Sequence, residues 1–422
     1  MKHVLGLKCQ ICGAEYRPDQ VDYICPKHGN EGILDVVYDY AGIRQSAQQT
    51  PIRPFGSGDG IWRYKGLLPI EPASPVPPLL VGDTPLYPAP RLAAGLGLRH
   101  LWVKDDGRLP SASFKDRASA IAVVKTREKR AAIVATASTG NAAAALACLC
   151  ASVEQPNIIF VPASAPPAKV AQLLVYGSTV LLVDGTYDDA FDLCLEACRE
   201  FGWYNRNTAY NPYMTEGKKT VVYEVCEQLG LEAGAGRWAA PDVVIVSVGD
   251  GCIIGGVHKG FKDLLALGWI ERMPRIIGVQ AAGSDYMWQA WSKGEDVLTK
   301  PPIDAETVAD SISAGLPRDR IKALAAVRDT GGAYVRVTDE EILAAIPVLA
   351  RGVGVFAEPA AATGYAGLVK AAGAGLIQAD ERTVLLSTGN GLKDIQSAMR
   401  SVGKPLRIAP DLQEVRRALQ TR

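Results

Sequence analysis

Lys115 stands in the run Pro110-Ser111-Ala112-Ser113-Phe114-Lys115-Asp116-Arg117, at the mouth of an alanine-rich stretch. A lysine amine condenses with an aldehyde only as the free base, so a Schiff-base lysine belongs where burial lowers its pKa. Phe114 on one side and the positive end of a helix starting here both disfavour the ammonium form. By itself, a lysine followed by Asp116 and Arg117 is more often a solvated helix start. The neighbouring motifs point away from that reading.

Ala137-Ser138-Thr139-Gly140-Asn141 closes an apolar run and opens a second alanine-rich one. Its backbone N–H groups and short hydroxyls then face a helix mouth, where open α/β sheets bind ligands. Asn141 can offer its amide to a phenolate oxygen, and Ser138 and Thr139 can take a substrate carboxylate; in isolation the motif also reads as an ordinary N-cap. Gly249-Asp250-Gly251-Cys252-Ile253 follows another apolar run and precedes Ile254-Gly255-Gly256, a glycine-rich turn whose amides can cradle phosphate. The lysine and Ser/Thr of a nucleotide-binding P-loop are missing from it. The Asp250 carboxylate is expected to turn away and leave only its amide to the anion. Ser387-Thr388-Gly389-Asn390-Gly391 ends the last apolar run and brings a neutral hydroxyl to the same edge, unless Thr388 only satisfies its own turn. An amine, a phosphate cradle and polar groups for a ring describe a holder for a phosphorylated aldehyde, pyridoxal phosphate. With Thr388 at the ring nitrogen, that nitrogen is not held protonated as an aspartate would hold it. Such a ring suits elimination and replacement at the β or γ carbon more than transamination.

The elements that must position these groups follow from pattern. Compact β-branched runs at 100–104, 132–135, 157–162, 179–183, 242–247, 275–280, 334–337 and 383–387 alternate with amphipathic stretches. The stretches at 115–128, 141–151, 165–176, 187–201, 216–229, 254–267, 339–351, 359–371 and 411–419 read as helices. Asp411 and Glu414 form a plausible capping pair for the last one. The alternation predicts an α/β fold with mostly parallel sheets covered by helices on both faces. Residues 40–88, rich in Pro, Gly and Gln, read as an extended linker that wraps the body, with one short helix near Ile61-Trp62-Arg63-Tyr64.

At 422 residues, 48% of them apolar, the chain can bury one large core or two moderate ones. Lys plus Arg number 45, as do Asp plus Glu, so net charge favours neither nucleic acid nor an anionic membrane. A small molecule is the expected partner. The N-terminal residues are interrupted by charge too early for a signal peptide, and no stretch approaches the roughly 20 apolar residues of a membrane span. A cytoplasmic protein with reduced thiols is expected, and a homodimer is the base-rate assembly.

Cys9-Gln10-Ile11-Cys12 and Cys25-Pro26-Lys27-His28 are two short ligand pairs on either side of a spacer that can form a hairpin. Such spacing lets Cys9, Cys12, Cys25 and His28 converge tetrahedrally on Zn²⁺ within residues 1–40, and a metal-free ribbon with His28 as a turn residue is the alternative. Four protein ligands would make the metal structural.

Taken in order, 110–117, 137–141, 249–253 and 387–394 resemble the fold-type II pyridoxal-phosphate enzymes, and among them the threonine synthases. Thr84-Pro85-Leu86, Asn211-Pro212 with Glu216-Gly217, Gln280-Ala281-Ala282-Gly283 and Glu358-Pro359-Ala360 extend the likeness over most of the chain after about residue 80. The resemblance implies a tryptophan synthase β-like fold of two open sheets, at about 89–230 and 231–422, following the ribbon (1–40) and linker (41–88). It implies a lyase acting on O-phospho-L-homoserine and water to give L-threonine and phosphate. Lys115 would then bind the cofactor and shuttle protons, Asn141 would meet the ring oxygen, residues 249–253 the cofactor phosphate and Thr388 the ring nitrogen. Ser138, Thr139, Asn211 and Lys218 would meet the substrate, and 211–219 would close over it.

Two positions depart from the family pattern. Met214 stands where an arginine would grip the substrate phosphate, which a thioether cannot do. Lys218, Lys219, Arg206 or Arg117 would have to supply the charge; otherwise the chain is another eliminating or replacing enzyme, acting on serine, threonine, phosphoserine or a diamino acid. The second is Ala112, which occupies a usual glycine position.

Overall fold

A computed structural model describes residues 1, 3–47 and 58–420. The β-branched runs resolve into two sheets. Six strands pair in the order Ala333–Val337, Arg275–Ala281, Val243–Ser247, Arg382–Ser387, His100–Asp105 and Leu86–Pro88, all parallel except the last. Four more, in the order Thr179–Val183, Asn157–Pro162, Val134–Ala137 and Tyr204–Asn205, form an all-parallel sheet. The segment 89–230 contributes to both sheets, because His100–Asp105 pairs with the C-terminal strand Arg382–Ser387.

Successive side chains of a strand point to opposite faces, so a strand covered on both sides is apolar throughout. Val244 and Val246 pack with Ile254, Val257 and Phe261 of the helix Cys252–Leu267. Val243 and Ile245 face the other way, onto Ala361, Tyr365 and Leu368 of the helix Pro359–Gly373. Most expected helices appear within a few residues of their expected ends. Several short elements carried too few residues to show a period, among them the strands Leu86–Pro88 and Tyr204–Asn205 and the helices Tyr286–Lys293 and Arg320–Arg328.

Reciprocal capping boxes form at Thr186 with Asp189 and at Thr338 with Glu341. The pair expected at Asp411 does not. Asp411 accepts from the Gln413 amide at 3.1 Å, but Glu414 turns forward to Arg417 at 2.7 Å, since the exposed helix Leu412–Gln420 buries no residue that would orient it.

The expected wrap of 40–88 is partly outside the described residues, at 48–57. From residue 58 it is docked into the core, with Ile61, Tyr64, Leu67, Leu68 and Ile70 buried and Arg63 paired to Glu227. The N-terminal ribbon is an antiparallel sheet of Val4–Cys9 with Glu15–Tyr16 and Leu34–Tyr38. It too is fastened to the body. Lys322 Nζ meets the Leu34 carbonyl at 2.9 Å and Asp35 at 2.8 Å, and Tyr38 donates to Glu216 at 2.7 Å.

Candidate active site

Parallel strands deliver their C-terminal ends to one edge, and loops leaving that edge converge. Ser387 leads into Thr388-Gly389-Asn390, and this loop is stitched to the one carrying Lys115. The Phe114 amide donates to the Thr388 carbonyl at 2.9 Å, the Asn390 amide to Ala112 at 3.1 Å, and Ser113 bridges Gly389. Lys115 therefore enters the helix Lys115–Glu128 from a loop held on the end of the last strand. Burial pushes its pKa below the ordinary lysine value, as a nucleophilic amine requires. Ala112 is in the left-handed region with φ 61°, which explains why glycine suits that position.

The turn after Val243–Ser247 is shaped by packing. A Cβ on Gly249 would lie 2.6 Å from the Ile312 Cα, and Gly251, at φ 86°, would meet the Ala323 Cβ at 2.7 Å. No side chain caps the helix Cys252–Leu267, and no hydrogen bond within the described residues uses the amides of Gly249 to Ile253. Free amides at the positive end of a helix are what a phosphate group needs. The Asp250 carboxylate accepts from the Arg318 amide at 3.3 Å and is thus engaged outside the turn, as its sequence context suggested. The residues present fit pyridoxal phosphate.

The helix Asn141–Ala151 also starts without a side-chain cap, and Ser138, Thr139 and Gly140 remain half-buried at its mouth. Asn141 donates to Glu358 at 2.8 Å. Glu358 itself donates its amide to Gly389 at 3.0 Å, tying Asn141 to the Thr388 loop. In the sequence Glu358 belonged to the Glu358-Pro359-Ala360 motif without an assigned role; its contact with Asn141 comes from the chain fold. Burial raises its pKa. Asp116, whose carboxylate accepts from the Ser111 amide at 2.7 Å and hydroxyl at 2.5 Å, is raised by burial to about 7. A cavity of about 410 Å³ opens beside these groups, lined among others by Ser111, Thr139, Asn141, Glu358, Lys169 and Lys393.

The structure bears on three further expectations. Asn211 is consumed by its own turn: its amide donates to Tyr204 Oη at 2.9 Å and the Asn205 carbonyl at 2.7 Å, and its oxygen accepts from Tyr213. Both of its amide hydrogens are engaged there, and one lone pair of its oxygen remains. Residues 211–219 form no cover, because Met214, Thr215, Glu216 and Lys218 are core residues and a Cβ on Gly217 would strike the Arg117 carbonyl at 2.1 Å. Of the four cations expected to replace an arginine at 214, two are already compensated. Arg117 is locked between Asp106 and Glu224, and Lys219 between Glu216 and Asp263. Among the described residues, Arg206 and Lys218 carry no such salt-bridge partner.

In the ribbon, the ligand atoms of Cys9, Cys12, Cys25 and His28 lie within 4.8 Å of one another. Cys25 Sγ is 3.5 Å from His28 Nδ1 and 4.0 Å from Cys12 Sγ. Tetrahedral zinc with ordinary Zn–S and Zn–N lengths demands edges of about 3.6–3.8 Å. Burial opposes ionisation of Cys25, and hydrogen bonds from Tyr16 and His28 outweigh it, bringing the thiol to about 6. The set fits zinc.

Residues 78–389 match the family described as pyridoxal-phosphate dependent enzyme. The chain is 37% identical over 415 residues to the threonine synthase of Methanocaldococcus jannaschii, covering 98% of this chain and 99% of that one. It is 39% identical over 414 residues to the threonine synthase of Methanosarcina acetivorans, covering 98% of each. Among solved structures it is similar to the processed form of threonine deaminase isoform 2 from Solanum lycopersicum, with TM-score 0.63, 22% identity and coverage of 89% and 92%. It is likewise similar to diaminopropionate ammonia lyase from Escherichia coli, with TM-score 0.64, 18% identity and coverage of 83% and 95%. These two likenesses establish the fold.

Proposed function

Because the chain belongs to the pyridoxal-phosphate dependent enzymes and, within them, to the threonine synthases, we propose that it converts O-phospho-L-homoserine and water to L-threonine and phosphate. The observation that carries this reading is the end-to-end likeness to threonine synthases, ribbon included. The geometry supports it. When bound, the cofactor supplies an electron sink conjugated to the substrate nitrogen.

The protein's own residues do the rest. Lys115, held as a free amine by burial, binds the cofactor and moves protons at Cα and Cβ of the substrate. The amides of Gly249, Asp250, Gly251, Cys252 and Ile253 hold the cofactor phosphate. Glu358 holds the Asn141 amide, and Asn141 would meet the ring oxygen. Thr388 would offer a neutral hydroxyl to the ring nitrogen, which would favour loss and replacement of a side-chain group over amino transfer. Ser138 and Thr139, at an uncapped helix start, take the substrate carboxylate. Lys218 serves the substrate as a cation. Cys9, Cys12, Cys25 and His28 hold a structural zinc ion. No helix among the described residues is long and apolar enough to cross a membrane, and we place the enzyme in the cytoplasm as a homodimer.

The test is incubation of the cofactor-loaded protein with O-phospho-L-homoserine, with L-serine, L-threonine and diaminopropionate in parallel. Phosphate and threonine should appear in equal amounts. Ammonia and a keto acid from the other substrates, with no threonine from the first, would replace this reading with a deaminase.

A further inference from the structure

Arg206 and Lys218 are 1% and 0% exposed, and among the described residues no carboxylate pairs with either. The fold treats its other fully buried cations differently: Lys104 and Arg117 share Glu224, and Lys219 has Glu216 and Asp263. Arg206 donates to Ser119 Oγ at 3.2 and 3.0 Å and to Thr208 Oγ1 at 3.0 Å. Lys218 Nζ lies 3.4 Å from the same Thr208 hydroxyl. Two like charges converging on one neutral hydroxyl repel each other, and desolvating each costs several kcal/mol. Such a pair is stable when an anion completes it.

Its position says which anion. Ser119 is one turn along the helix from Lys115. Lys218 lies against the helix Cys252–Leu267, where a Cβ on Gly256 would be 2.7 Å from the Lys218 Cβ. The pair thus sits between the Schiff-base lysine and the free amides of the glycine-rich turn. Thr208, half-buried, is its outlet towards solvent.

We propose that Arg206, Lys218 and Thr208 form a second phosphate site, separate from the glycine-rich turn, which holds the phosphoryl leaving group of the substrate and makes the enzyme specific for a phosphate ester. This rests on the reaction proposed above and names the residues that replace an arginine at Met214. A phosphate dianion also sits on the cofactor, so the test must separate the two sources. Burial holds Lys218 at about 7, with Cys252, Lys115, Arg206 and Asp319 as the titratable and charged groups around it. A dianion bound there draws a proton onto the lysine.

The experiment compares cofactor-loaded wild type with Arg206→Met and Lys218→Met. Inorganic phosphate binding is measured by calorimetry in two buffers of different ionisation enthalpy, cofactor retention by absorbance after dialysis, and turnover by KM and kcat. Each variant should bind phosphate roughly ten- to a hundredfold more weakly, the range for one lost charge-assisted hydrogen bond. KM for O-phospho-L-homoserine should rise, proton uptake should vanish in Lys218→Met, and the cofactor should stay bound. Should Arg206→Met fail to fold, Lys218→Met carries the test, since no carboxylate is salt-bridged to Lys218 among the described residues and its loss breaks no ion pair. Unchanged phosphate affinity in the folded variants overturns the proposal, as does loss of the cofactor with phosphate affinity intact, which would assign the pair to the cofactor phosphate. Phosphate binding through this pair in a wild type that makes no threonine would sink the proposed reaction and leave the anion site standing.

Discussion

Arg117→Met separates structural from substrate-binding cations. The Arg117 guanidinium is buried, and its donors are filled: Nε to Asp106 at 2.6 Å, Nη1 to Glu224 at 2.8 Å and Thr220 at 3.0 Å, Nη2 to Asp106 at 2.9 Å and Glu224 at 3.0 Å. Lys104, at 2.7 Å from Glu224, is the other cation of the cluster. Methionine at 117 matches much of the volume but leaves two buried carboxylates facing one lysine, a net uncompensated negative charge. Breaking a buried pair from one side costs about 3–5 kcal/mol, because the abandoned charge stays desolvated. That is a large fraction of a typical folding free energy. Guanidinium unfolding of wild type and variant should show this loss, while the folded, cofactor-loaded fraction keeps its KM for the phosphate ester. A stable variant with a raised KM would refute the reasoning, since it would show that Arg117 answers to the substrate and not to Asp106 and Glu224.

Gly251→Ala should weaken cofactor binding and lower Tm. The left-handed backbone at φ 86° and the approach to Ala323 cost together about 2–5 kcal/mol, and a cofactor titration by absorbance checks it. Ala112→Gly, at φ 61°, should raise stability by roughly 1 kcal/mol in thermal unfolding without changing turnover. Burial raises the Asp116 carboxyl to about 7 from an unfolded value of about 3.9. Its stabilising protonated form is therefore complete below the unfolded value and lost as pH rises through 7. Asp116→Asn should flatten the wild-type decline in stability between pH 4 and 7 measured by chemical denaturation; equal slopes would dismiss the assignment. Elemental analysis should find one zinc per chain, and Cys25→Ser should abolish it.

The motifs proposed to carry the chemistry were legible because they are local. Lys115, Ser138-Thr139-Gly140-Asn141 and the Gly249–Gly251 turn each combine a helix mouth with small residues, and helix starts are set by neighbours in sequence. The β-branched runs disclosed the parallel strands because burial on both faces leaves no polar alternation to obscure them. The clustering of Cys9, Cys12, Cys25 and His28 followed from their spacing.

What depends on distant pairs was not readable. Strand order put His100–Asp105 beside Arg382–Ser387, and that pairing brings Lys115 to Thr388. Glu358 became the support of Asn141 only when residues 217 positions apart met. The four basic residues offered as replacements for an arginine at 214 look alike in sequence. They were sorted by whether a carboxylate from another element reached them, since the energy of a buried charge is set by the partners the fold brings to it, and chain order does not specify those.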